Sequence, residues 1–221
     1  MSDWMVNWTD DDIPELAPRP VFIEQADWNW KYSKVLTNLL LCGSCSFALY
    51  ALRRESLLAR SPYIAMLSHG MIGCVKPILD NSVVNYVYEA SSKMARIGIL
   101  PLVSAQIATE VLCEPHMGFL HICLFTLPIV AHPILRTFNL SDHIYDCVAL
   151  TAEVYLGCMA TIENRMSWSL LVEGDFINRF FLTNIFRRSS LPSKELYALG
   201  LAVLCFLGPL FTHNIKLDEI L

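Results

Sequence analysis

Two acids, Asp146 and Glu153, stand seven residues apart inside residues 144–162, IYDCVALTAEVYLGCMATI, a stretch with the length and apolar character of a membrane-spanning helix. Seven residues is almost two helical turns, so both acids point the same way. Ala149, Gly157 and Ala160 fall on or near that stripe. Acids mixed with small residues make a packing face that lipid would reject. Ionisable groups in such a place do one of two things. They carry a proton or ion along a path, or they clasp helices together by pairing with opposite charge.

A second stripe lies in residues 62–79, PYIAMLSHGMIGCVKPIL, where His69, Gly73, Lys76 and Asp80 follow an i, i+4, i+7, i+11 spacing. That spacing is a single helix face. If the two stretches run antiparallel across a bilayer, Lys76 matches Asp146 in depth and His69 matches Glu153. Pairing keeps opposite charges ionised where a lone charge would be expensive. Glu110 stands near the end of a third apolar stretch, and His121 and His132 share a face of a fourth. The expected site is therefore a set of intramembrane groups: the ionisable Lys76, Glu110, Asp146 and Glu153, and the histidines His69, His121 and His132.

Other chemistry is weaker. His69, His121, His132 and His143 are candidate haem ligands, but a histidine in such a run is more often a hydrogen-bonded packing residue. No HExxH pair and no glycine-rich phosphate loop occurs in the chain, and spacing alone does not define a Ser-His-Asp set. Cys42-Gly-Ser-Cys45 is a CxxC. A redox role needs a thioredoxin-like βαβ context and zinc needs four ligands, so packing of small residues is preferred. No catalytic residue, metal or cofactor is expected.

These groups must be held by long apolar elements. The 221-residue chain is 54% hydrophobic and 17% charged, where soluble domains carry roughly a quarter charged residues. The deficit falls in long runs, which points to membrane. The net charge of −5 comes largely from the acidic first stretch. An acidic balance without a basic patch argues against nucleic acid. The eight cysteines lie in or beside apolar runs, as packing residues rather than a disulfide framework. The acidic N-terminus looks like neither a signal peptide nor a mitochondrial presequence.

The expected fold is all-α, a polytopic transmembrane bundle of about six spans with one interfacial amphipathic helix. Residues 1–34 form an acidic, mostly disordered tail, 35–211 the bundle and 212–221 a short C-terminal tail. The spans fall at 35–52, 62–79, 97–112, 117–135, 144–162 and 196–211, with 81–96 a polar linker. The third is weakest, since it holds Pro101 and Gln106 and ends near Glu110; it crosses or re-enters. Residues 168–186 alternate apolar clusters with Glu173, Asp175 and Arg179, which suits a helix lying in the interface. Counting Lys and Arg, eight on the side of Arg53 and Arg54 against seven on the other, places the termini in the lumen by a narrow margin.

Short fragments, namely Arg53-Arg54, Ser61-Pro62, residues 66–70 and Ser190-Leu-Pro-Ser-Lys194, resemble trimeric intracellular cation channels. The lysine-glycine motifs of that family's pore helices do not occur here, so the family is not assigned. The leading functional expectation is a non-enzymatic assembly or organising factor, working through helix–helix contacts and its acidic tail, with the lipid bilayer and other membrane proteins as partners. The alternative is a small ion or proton channel or transporter using the intramembrane charges, and a membrane-embedded enzyme is third. The expected location is the endoplasmic reticulum or another endomembrane, with a mitochondrial membrane as the other option.

Overall fold

The computed structural model describes residues 23–79, 81–137, 141–182 and 193–213. Residues 1–22 of the expected tail, Asp80, residues 183–192 and the end of the chain lie outside that description. Every described element is helical: α1 (Ile23–Ala51), α2 (Leu57–Val75), α3 (Ser82–Ile97), α4 (Leu100–Gln106), α5 (Pro115–Val130), α6 (His132–Thr137), α7 (Ser141–Ile162), α8 (Met166–Phe176) and α9 (Ser193–His213). α4 and α8 each run on into a π-helical segment, Ile107–Val111 and Ile177–Leu182.

Local chemistry sets several boundaries. Ser56 caps α2, its Oγ accepting from Ala59 N at 3.0 Å. Asn81 caps α3, its Oδ1 accepting from Val84 N at 2.8 Å. Such caps satisfy amide donors that the first turn of a helix leaves free. α3 ends at Gly98, whose φ of 82° and ψ of −167° only glycine adopts without strain. The expected polar linker 81–96 is thus a helix. It is amphipathic, burying Ser91, Ala95 and Ile97 and exposing Val83, Tyr86 and Val87.

α1 packs along α2 and α9, α4 lies among α2, α5 and α7, and α8 sits against α7 and α9. On α1 and the turn that ends it, the buried residues Leu41, Cys45, Ala48 and Leu52 recur every three or four positions, the period of one helix face. They join Tyr63 and Met66 of α2, Leu100 and Val103 of α4, Ala152, Leu156 and Ala160 of α7, Trp168 and Leu171 of α8 and Leu201 of α9 in one core. Gly70 allows α2 to approach α1 closely, since a Cβ there would lie 2.7 Å from Cys42 Sγ.

Polar groups are buried beside this apolar core, and many large apolar side chains are exposed. Asn38, His69, Ser104, Gln106, His121, His132, Glu153, Asp175, Asn178 and Arg179 are buried. Leu36, Leu39, Ile64, Met71, Phe119, Leu127, Val130, Val154, Leu199 and Val203 are exposed. A water-soluble surface rarely shows so much contiguous apolar area, whereas lipid accepts it.

By length and composition, two described helices suit a membrane crossing, Ser33–Ala51 and Glu195–His213, and the bent pair Ser82–Ile97 with Leu100–Val111 makes a third if it is one span. They allow a membrane location. They are fewer than the six spans expected. Among the others, α2 carries Arg60 and His69, α7 carries Asp146 and Glu153, and α5 is apolar but only 16 residues long, about 24 Å of helix. The weak stretch 97–112 is only half an element: the bundle bends by 59° between α3 and α4.

The 168–186 stretch also departs from expectation. Asp175 and Asn178 are fully buried and Arg179 nearly so, as are Trp168 and Leu171. Of the charges that suggested an interfacial helix, Asp175 and Arg179 point into the bundle, where they meet partners, while Glu173 is exposed. The rings of Phe180 and Phe181 both lie against that of Phe176, with centroids 4.8 and 6.2 Å from it.

Candidate functional site

The break between α3 and α4 is the place where backbone groups lose their helical partners. Three successive carbonyls at the end of α3 are met by side chains from distant helices. Arg179 Nη1 donates to Arg96 O, and Nη2 donates to Ile97 O at 3.2 Å. Tyr197 Oη of α9 donates to Ala95 O at 3.0 Å. Gly98 makes room for this, because a Cβ there would meet Arg179 Nη2 at 3.2 Å.

A buried guanidinium needs compensating charge. Asp175, one helical turn before it, accepts from Arg179 Nη2 at 3.2 Å. Glu153 of α7 places Oε1 3.4 Å from Arg179 Nε. The three side chains are 5%, 0% and 4% exposed for Arg179, Asp175 and Glu153, so water does little to screen them. Two carboxylates face one guanidinium.

The other acid of the α7 stripe belongs to the same junction. Asp146 receives two parallel hydrogen bonds from Arg96, Nε to Oδ1 at 3.1 Å and Nη2 to Oδ2 at 2.8 Å. Such a fork is the strongest arrangement available to an arginine and a carboxylate. This pair is about one-third exposed on each side. Arg96 thus gives its side chain to α7 and its carbonyl to Arg179. The two acids seven apart hold the two arginines that brace the α3–α4 break.

The expected pairs are different ones. Lys76 does not meet Asp146; its Nζ lies 4.2 Å from the centre of the Tyr88 ring on α3, a cation–π contact. His69 does not meet Glu153; its Nδ1 is 3.0 Å from Ser91 Oγ, also on α3. Matching depth was the basis of the expected pairs, but depth says nothing about lateral neighbours. α4 packs against both α2 and α7, and α2 spends its polar face on α3.

The remaining candidates are dispersed. His132 Nδ1 is 2.8 Å from Tyr145 Oη, and its Nε2 is 3.8 Å from Glu89. His121 is buried with its ring 4.4 Å from that of Tyr155, and neither of its ring nitrogens has a hydrogen-bond partner among the described residues. Glu110 is exposed on the π-helical segment. Near it Gln106 Nε2 lies 3.0 Å from His213 Nε2, whose other nitrogen is 3.7 Å from Glu55. Each of the three expected histidines has a different neighbour. Among the described residues no three His, Cys, Asp or Glu side chains converge as a metal site.

Arg96, Asp175, Arg179 and Tyr197 were outside the expected site. The available signals were an i, i+4 acid–arginine pair, Asp175 and Arg179, in an otherwise apolar run, and an arginine two residues before a helix-stopping glycine. No family model matches the chain, and no curated protein and no solved structure matches it significantly.

Proposed function

We propose that the chain is a multi-pass membrane protein of the endoplasmic reticulum or another endomembrane that serves as a non-enzymatic assembly or organising factor. One observation carries this reading. The buried charges are tied to one another and to backbone across α3, α7, α8 and α9, while the outer wall is apolar. Charges spent on internal ties give a rigid body with a helix-binding surface; a conducting path needs charges left open to an ion or to water. In this reading α2, α5, α7 and α8 also lie within the bilayer, with Glu153, Asp175, His69 and His121 turned inward.

The alternative is an ion or proton conductor. The broken α3–α4 unit with a buried carboxylate pair beside it favours that reading, since interrupted helices in membranes often line a path. In this version Glu153 and Asp175 would do the work assigned by sequence to Lys76, Asp146 and Glu153. Purified full-length protein in liposomes, with a pH-sensitive dye inside and a potassium gradient imposed, separates the two. An organising factor gives flux no greater than empty liposomes, and co-purifies from its native membrane with partners at fixed stoichiometry. Flux that is lost in Glu153→Gln would replace the organising reading with the conducting one.

A further inference from the structure

A cleft of about 340 Å³ opens between α7 and α8. Leu150, Val154, Val172 and Ile177 make most of its wall, with Glu153 and Glu173 as its two acids. Glu153 is buried, and its Oε1 accepts no hydrogen bond among the described residues, although Arg179 Nε is 3.4 Å away. Glu173 is exposed, and no cation pairs with it among the described residues.

The charge around this cleft does not balance. Glu153 and Asp175 share one guanidinium, and Glu173 adds a further acid. The surroundings are mostly apolar: Leu170, Glu173, Ile177 and Phe181 are exposed along α8 and the π-helical segment that follows it. Beside it on α7, the exposed Cys147, Thr151, Val154 and Cys158 make a stripe of small or short side chains. A lone carboxylate on a lipid-facing wall is costly and calls for a cation. Short side chains on the neighbouring helix allow another backbone to come close. A free metal ion does not suit the apolar lining, and a water-soluble anion suits neither that lining nor the sign of the charge.

We propose that the α7–α8 cleft docks a membrane helix of a partner protein through a lysine or arginine that pairs with Glu173, above Glu153. The aliphatic stem of that residue fills the apolar part of the cleft while its head reaches the exposed Glu173. The partner's apolar residues lie along Leu170, Ile177 and Phe181. The proposal rests on the organising-factor reading and names the surface through which that role is exercised.

The test uses the full chain, labelled with one donor fluorophore, in phosphatidylcholine vesicles. Acceptor-labelled single-span Leu/Ala peptides carry Lys, Leu or Glu at their centre. The Lys peptide should associate at least fivefold more than the Leu peptide, and the Glu peptide no more than the Leu peptide. Glu173→Gln and the cleft-filling Val154→Trp should each reduce the Lys peptide to the Leu level. Glu173 is exposed, so its variant keeps the fold, and an unchanged melting temperature verifies this. Equal association of all three peptides, or a preference for Lys that survives Glu173→Gln, overturns the proposal. Displacement of the Lys peptide by phosphatidylethanolamine would make an amine lipid the occupant. Self-association in peptide-free vesicles that is lost in Glu173→Gln would make it a second copy. Either outcome overturns docking of a partner helix. Flux through the same vesicles would instead sink the organising-factor reading, independently of the peptides.

Discussion

Arg179, on the π-helical turn after α8, donates through Nη1 to the carbonyl of Arg96 at the end of α3. The two residues are far apart in sequence, yet this bond joins every part of the junction. Arg96 turns its own guanidinium to Asp146, and Arg179 is held by Asp175 and Glu153. The backbone break at Gly98, which would otherwise leave carbonyls unsatisfied in a dry interior, becomes the centre of a network. A network of this kind discriminates among packings, because a shift of α8 by one turn would take Arg179 away from Glu153 and from the α3 carbonyls.

Arg179→Leu should be the most damaging single change at the junction. It leaves Asp175 and Glu153 buried without compensation and frees two α3 carbonyls, at a cost on the order of 3–5 kcal/mol. Arg179→Lys keeps the charge but not the fork, and should recover only part of the loss. Removing Asp175 at the same time, as Asp175→Asn with Arg179→Gln, should cost less than the sum of the two single changes. Thermal unfolding in a mild detergent gives the comparison, and strict additivity would show that the ion pair is not energetically coupled.

The Arg96–Asp146 pair is worth less. It is about one-third exposed on each side, and screening holds such pairs to about 1 kcal/mol or below. Arg96→Met and Asp146→Asn should each lower stability by about that amount, less at high salt. Lys76 is a control. Since it rests on Tyr88 rather than on Asp146, a double-mutant cycle of Lys76→Met with Asp146→Asn should give coupling below about 0.5 kcal/mol. A larger coupling would restore the pairing that the depth of the two residues suggests.

The long helices are legible from apolar runs: α1, α5, α7 and α9 each contain one of the expected spans in whole or in large part. α3 is not, because its exposed face mixes polar residues with Val83 and Tyr86 and its charges Glu89, Lys93 and Arg96 read as a linker. Its two end signals, Asn81 before it and Gly98 after it, were the better guide. The α7 stripe was legible as a packing face: Ala149, Glu153 and Ala160 are buried. The identity of the partners was not. Hydropathy counts charges along the chain but says nothing of whether Asp175 and Arg179 turn toward water or toward an acid on another helix. A pair four apart on an apolar helix is neutral as a unit, so it can be buried without a lone charge.

Gly98 and Gly43 should answer differently to alanine. Gly98 sits at φ 82° and ψ −167°, a region that costs other residues about 1–3 kcal/mol, and the new methyl would press on Arg179 at 3.2 Å. Gly98→Ala should destabilise by at least that strain and loosen the junction. Gly43 lies within α1, and a methyl added there would meet nothing within 4 Å among the described residues. Gly43→Ala should therefore be neutral or stabilise by up to about 1 kcal/mol. Melting temperatures of the two variants make the comparison directly. Similar losses at both sites would mean that α1, too, is covered by something at Gly43.

The orientation of α8 can be read by cysteine scanning from position 170 to 181. A helix lying in the interface would react with a water-soluble maleimide along one face, with Glu173, Asp175 and Arg179 prominent because their charges would face water. With α8 inside the bilayer, as proposed, another pattern is expected. Cysteines replacing Asp175 and Asn178, both at most 1% exposed, should be protected from water-soluble and lipid-soluble reagents alike. Those replacing Leu170, Ile177 and Phe181, which are 44%, 49% and 52% exposed, should react with the lipid-soluble reagent alone. Because Asp175→Cys also removes a partner of Arg179, Asn178→Cys supplies the second buried position that leaves both charges in place. Reaction of the Asn178→Cys variant with the water-soluble reagent in folded protein would return α8 to the interface and take the Arg179 junction with it. Protection at position 178 together with lipid-only labelling at position 177 would fix the buried face to within one residue, a resolution that no rotation of an interfacial helix reproduces.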